Sequence, residues 1–290
     1  MNTPEESAPQ EPAQTVSASH DDGSSRSLSQ RLWELFVALA TWILSVALLV
    51  LPQILAVPYI MYRYQGAPPS PEVLLADKTV IVLLVSGLLP VHLITLGLAW
   101  AVATRFGKVP IKEALRWQWG SRTSIFKTIG LAVVLFALAW GITLAFGGKE
   151  TDIDKIIKSS RVAALILAFL AVATAPLVEE IIYRGILFPA WQRLTGSTIA
   201  VIVVTLSFAL PHIPQYRANL GVISAITMLS LVLTIVRART GRLLPCYVIH
   251  LVFNGITSVL IVIQALFRLN TESPPPDVTP TIALWLLGMV

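Results

Sequence analysis

"RVAALILAFLAVATAPLVEEIIYRG", residues 161–185, decides the fold. Between Arg161 and Glu179 the chain carries no charged side chain, over nearly the ~20 residues that a helix needs to cross the hydrocarbon core of a bilayer. Glu179, Glu180 and Arg184 then follow within one and a half helical turns. The stretch is therefore a membrane-spanning helix that takes two carboxylates and a guanidinium into its own depth.

The rest of the chain has the same character. Of its 290 residues 55% are hydrophobic and 13% charged, with a mean hydropathy of +0.75, well outside the balance of a soluble domain. Apolar runs fall at about 33–60, 79–104, 125–147, 161–190, 198–213, 220–236 and 243–267, with a shorter one at 279–290. They are continuous rather than alternating, which excludes a barrel and predicts an all-α, polytopic transmembrane helical bundle of about 7–8 spans. The last run, rising only ~18 Å as a helix, is a partial eighth span or an interfacial segment. Residues 1–30, rich in Ser, Pro, Gln and acidic side chains, predict a disordered N-terminal tail, leaving 31–290 as the membrane domain.

A single cysteine, Cys246, excludes an intrachain disulfide and a cysteine-based zinc site. The net charge of +5 comes from basic residues scattered among loops beside apolar runs, so the implied partners are membrane lipids and not nucleic acid. With a cytoplasmic N-terminus, 13 of the 21 basic residues fall on the cytoplasmic side. The loop "FGKVPIKEALRWQWGSR", 106–122, decides that count, and its mixture of Trp117, Trp119 and basic residues suits an interfacial segment against anionic headgroups. The expected location is the plasma membrane, multi-pass.

Between Asp154 and Glu272 the only carboxylates are Glu179 and Glu180. A charge at the bilayer centre costs at least ~2.5–3.5 kcal/mol, which makes such residues functional candidates. Glu180 and Arg184 stand four apart in the favourable order for an ion pair, and that pair accounts for Glu180. Glu179 lies ~100° further round the helix with no basic residue at i+3 or i+4. Later spans add "FALPH", with Phe208 and His212 on one face, and "HLVFN", with His250 and Asn254 on one face. His92, in "LPVHLITL", has the look of an ordinary core histidine. Pro176 and Pro211 loosen their helices just before Glu179 and His212, which is tolerable where backbone lines a polar pocket.

These are the parts of a hydrolytic site. A carboxylate beside a neutral histidine can hold a water and take its proton, while imidazole and carboxamide N–H groups can stabilise an oxyanion. A metal version is equally writable, with Glu179, His212 and His250 around Zn²⁺, although no HExxH motif is present. A serine triad is not supported: GxSxG is absent, and no acid remains to orient a histidine.

Taken together, "EEIIYR", "FALPH" and "HLVFN" resemble the EExxxR, FxxxH and HxxxN motifs of the CAAX-protease and bacteriocin-processing family of intramembrane proteases. The likeness covers about residues 163–258. It implies that Glu179 and His212 activate water, that His250 and Asn254 form the oxyanion hole, and that Glu180, Arg184 and Phe208 support them. The implied substrate is a peptide or lipidated protein of CAAX or bacteriocin-like type, cleaved near the cytoplasmic leaflet, with no cofactor or with zinc. A non-catalytic immunity or scaffold protein that retains the fold is the alternative, and a proton-coupled transporter a third. Counting from Arg161, Glu179 is ~27 Å along its helix, whereas His212 is ~20 Å along its own from Thr198. For the two to meet, the fourth span is expected to start near Phe169 and residues 189–196 to form an interfacial turn.

Overall fold

The computed structural model describes residues 27–65, 69–120, 123–146, 151–217 and 219–267. Residues 1–26 of the expected tail and the 279–290 run lie outside them. All regular structure among the described residues is helical, and seven helices are long and apolar enough to cross a membrane. The chain is a multi-pass, all-α bundle.

The spanning helices are α1 (Leu28–Tyr64), α2 (Lys78–Ala103), α3 (Ile125–Phe146), α5 (Arg161–Thr195), α6 (Ser197–Tyr216), α7 (Leu220–Thr240) and α8 (Leu244–Phe267), with a short amphipathic α4 (Asp152–Ser159) before α5. Helix α1 starts three residues inside the stretch expected as tail. The cause is a capping box: the Ser27 hydroxyl accepts from the Gln30 N–H, and the Gln30 side chain accepts from the Ser27 N–H. Because the spans alternate in direction, one face of the bundle carries the start of α1 and the α2–α3, α5–α6 and α7–α8 connections. The other carries the α1–α2, α3–α5 and α6–α7 connections.

Large apolar side chains such as Phe126, Leu206 and Val259 are exposed on the outside of the bundle, as expected where the solvent is lipid. Between helices the contacts are made by small residues. Ala163, Ala164, Ala168 and Ala171 line the buried side of α5, which packs along α8. At the α3–α7 contact a Cβ on Gly221 would stand 2.9 Å from the Thr143 Cα.

Helix α5 has 35 residues, or ~52 Å at 1.5 Å per residue, far more than a ~30 Å hydrocarbon core requires. It is interrupted twice. The α-helix ends at Ala173, with Thr174 off helical geometry (φ −124°, ψ −43°), and restarts at Ala175 with Pro176 in its first turn. Over Glu180–Leu187 it widens into a π-helix, closed by the Phe188 N–H donating to the Tyr183 carbonyl. Pro189 follows; in an α-helix its ring would clash with the carbonyl four residues back, and the wider turn relieves that. The turn expected at 189–196 is instead helix to Thr195, and the chain reverses at Gly196 with φ +83°.

The loop after α2 is partly docked rather than lying wholly at the interface. Leu115 is buried against Gly185 and Leu243, the Leu243 N–H donates to the Arg116 carbonyl, and Trp117 packs on Tyr247 at 5.0 Å.

Candidate active site

The two glutamates of the opening stretch have separate surroundings. Glu180 is fully buried, and its Oε1 accepts from Arg184 Nη1 at 3.0 Å and from His250 Nδ1 at 2.9 Å. Arg184, also fully buried, donates from Nη2 to the Ser230 carbonyl (3.0 Å) and hydroxyl (2.8 Å), and from Nε to the Thr234 hydroxyl (3.3 Å). Its guanidinium lies 4.6 Å from the centre of the Phe208 ring. Arg237 Nε in turn donates to the Arg184 carbonyl. Four spans therefore converge on one ion pair: α5, α6, α7 and α8.

One expectation from the sequence is corrected here. Glu180 does not serve Arg184 alone. It is the acid that orients a histidine, the role for which no carboxylate was thought to remain. A carboxylate can only accept, so His250 Nδ1 carries a hydrogen, and the ring is turned so that Nε2 lies 3.7 Å from Glu179 Oε2. Neither of these two buried atoms has a hydrogen-bond partner. The side chain of Glu179 keeps 16% of its surface exposed, on the wall of a cavity.

His212 follows the same logic. Pro211 and Pro214 lack the N–H groups that the carbonyls of Ser207 and Leu210 would receive in an α-helix, and α6 tightens to a 3₁₀ turn over Leu210–His212. His212 Nδ1 donates to the Phe208 carbonyl at 2.8 Å, and its ring stacks on Phe208 at 5.1 Å. Because a carbonyl can only accept, the free ring nitrogen of neutral His212 is Nε2. Phe208 also meets the Tyr183 ring edge-on at 4.9 Å and the His250 ring at 6.0 Å. It is the spacer that holds both imidazoles and the guanidinium.

Asn254 lies one turn beyond His250, buried, with Nδ2 donating to the Ala171 carbonyl at 3.0 Å. One hydrogen of the amide thus ties α8 to the last turn of α5 before the break at Thr174.

A cavity of about 130 Å³ is lined by Glu179 and His212 together. They share this wall although α5 starts at Arg161 and not near Phe169. The same cavity is lined by two residues that the sequence did not single out for chemistry, Tyr183 and His92. Tyr183 stands one turn from Glu179, a spacing visible in "EEIIYR", and its hydroxyl accepts from Trp42 Nε1 at 3.2 Å. His92 is buried and partnered, as expected of a core histidine, but its partner is the Thr174 hydroxyl, 2.6 Å from Nδ1, at the break in α5.

Among the described residues no three His, Cys, Asp or Glu side chains are grouped to hold a metal ion. Phe208 and Glu180 hold the imidazoles of His212 and His250 from their Nδ1 sides.

Residues 161–256 match the family model described as type II CAAX prenyl endopeptidase, Rce1-like. The match spans α5 to the middle of α8 and includes every side chain of the site named above except His92 and Trp42. No curated protein and no solved structure matches the chain.

Proposed function

We propose that this chain, whose residues 161–256 match the type II CAAX prenyl endopeptidase model, is an intramembrane protease in which Glu179 is the general base. The observation that carries it is the pair of contacts on His250: Nδ1 to Glu180 at 2.9 Å and Nε2 to Glu179 at 3.7 Å. Water bound between the Glu179 carboxylate and the His212 Nε2 gives up a proton to Glu179 as its oxygen attacks the scissile carbonyl. His250, as the imidazolium, donates from Nδ1 to Glu180 and from Nε2 to the oxyanion that forms. The Tyr183 hydroxyl, on the wall of the same cavity, is a further donor for that charge. Glu179 then returns its proton to the leaving amine, so one water is consumed and one amide bond broken.

Arg184 holds the Glu180 carboxylate in place, and Glu180 holds the ring of His250 in its orientation. The substrate is a peptide or lipidated polypeptide, and the membrane that of the cell surface, with the basic face of the bundle cytoplasmic. The test is cleavage of a prenylated peptide by purified protein. His250→Ala is expected to lower kcat by about 10²–10³, the usual cost of an oxyanion-hole donor. Glu180→Gln is expected to lower it less, since an amide oxygen still accepts from Nδ1. Full activity in His250→Ala would remove this residue from the chemistry and with it the proposed mechanism. Retention of a cellular phenotype by variants that cleave nothing would favour the non-catalytic alternative.

A further inference from the structure

Besides the guanidinium paired with Glu180, the bundle gathers three more at the connection between α7 and α8. Helix α7 ends at Thr240, and Gly241 turns the chain with φ +65°, a conformation open to glycine at no steric cost. Arg237, buried in the last turn of α7, donates from Nη1 to the Gly241 carbonyl and from Nε to the Arg184 carbonyl. Arg116, from the α2–α3 loop, reaches the same glycine: its Nη1 stands 3.5 Å from where a Cβ on Gly241 would lie. Arg242 leans back on that loop, its Cγ 3.8 Å from where a Cβ on Gly120 would lie.

Arg116 and Arg242 are near enough to Arg237 for their like charges to act on it. Neither side chain has a hydrogen bond or ion pair among the described residues, and Arg237 Nη2 has none either. Glu113, the one carboxylate of these two connections among the described residues, is exposed and pairs with none of them. Arg116 also takes φ +51°, uncommon for a residue with a Cβ. It is held there by the Leu243 N–H on its carbonyl and by Trp117 packed on Tyr247. Like charges fixed around one turn without a carboxylate make a seat for an anion.

Depth in the membrane says which anion. The turn lies between the ends of two spans, Thr240 and Leu244, and the Trp117–Tyr247 pair beside it is of the kind found at the headgroup layer. Guanidinium groups match phosphate oxygens in pairs, and basic pockets between spans take anionic headgroups. We propose that Arg116, Arg237 and Arg242 form a phosphate-binding site, filled by the headgroup of an anionic phospholipid. The phosphate joins the docked loop to the α7–α8 turn and, through Arg237, to the backbone of Arg184. This site is independent of whether the chain cleaves peptides.

The test uses the full chain in neutral detergent, titrated with phosphatidylglycerol or phosphatidylcholine, with bound lipid read by native mass spectrometry and the unfolding temperature recorded. Phosphatidylcholine carries its phosphate beside a cation that the three guanidiniums repel, so phosphatidylglycerol is expected to bind in preference and to raise the unfolding temperature. Arg116→Asn with Arg242→Gln is expected to weaken that binding about tenfold or more, since one basic residue at an anionic surface is worth about fivefold. Asn is chosen at 116 because it tolerates positive φ. Lys108→Gln with Lys112→Gln removes as much charge from exposed positions of the same loop and is expected to keep binding within about threefold, because diffuse charge is screened.

Equal loss in the two double variants would overturn the site, as would equal binding of the two lipids by the wild type. Inorganic phosphate separates the sources: no rise in unfolding temperature assigns the site to lipid. A rise as large as that from phosphatidylglycerol, lost in the arginine variant, would overturn the lipid assignment in favour of soluble phosphate. Should the arginine double variant fail to accumulate, Arg242→Gln alone is expected to lose about fivefold, and undiminished binding there would overturn the site.

Discussion

The side chain on which most of the site hangs is Arg184. Its guanidinium makes hydrogen bonds to Glu180, Ser230 and Thr234 in a place with no access to solvent, so removing it strips a buried carboxylate of its guanidinium and leaves it only His250. Such a change typically costs 3–5 kcal/mol. Arg184→Leu is thus expected to lower the unfolding temperature in detergent markedly. Adding Glu180→Gln to it is expected to restore part of the loss, because the uncompensated charge is gone. A double variant less stable than Arg184→Leu would show that Glu180 is held chiefly by His250. The sequence showed the i, i+4 pair but not its second partner, since His250 lies seventy residues away and only tertiary packing brings its Nδ1 to Glu180. That Arg184 pairs with Glu180 was legible from spacing alone.

The departures from regular helix are what bring these side chains together. The break at Thr174 is held from outside α5 by His92, through the 2.6 Å contact with the Thr174 hydroxyl. His92 is accordingly a positioning residue for the turn that leads to Glu179. Asn can replace the Nδ1 of histidine as a partner for the hydroxyl, so His92→Asn is expected to keep kcat within a few-fold. His92→Leu is expected to lower kcat about tenfold or more with little change in KM, consistent with misplacement of a catalytic group rather than lost binding. Equal kcat for the two variants would remove this role. At the α3–α7 contact the close approach at Gly221 leaves no room for a methyl group against the Thr143 backbone. Gly221→Ala is expected to destabilise by about 1–3 kcal/mol, read as a lower unfolding temperature, and an unchanged temperature would mean that the helices part freely. Prolines 176 and 211 announced loosened helices in the sequence. The π-turn at 180–187 did not announce itself, because Pro189 signals a disturbed helix without saying that a wider turn will relieve it.

At the scale of the whole molecule, the seven spans followed directly from continuous apolar runs, since a bilayer leaves a helix no other way to satisfy its backbone. The gathering of three motifs from α5, α6 and α8 into one site was legible from their residue types and order. The account makes one central claim, that Glu179 on the cavity wall activates the water that cleaves a peptide bond. The most direct measurement compares purified wild-type protein with Glu179→Gln, both in lipid nanodiscs, for release of the C-terminal fragment of a fluorogenic prenylated peptide. Loss of a general base typically costs 10²–10⁴ in rate, so the variant is expected to retain under about 1% of wild-type kcat with an unchanged unfolding temperature. Wild-type activity in a folded Glu179→Gln protein would contradict the account.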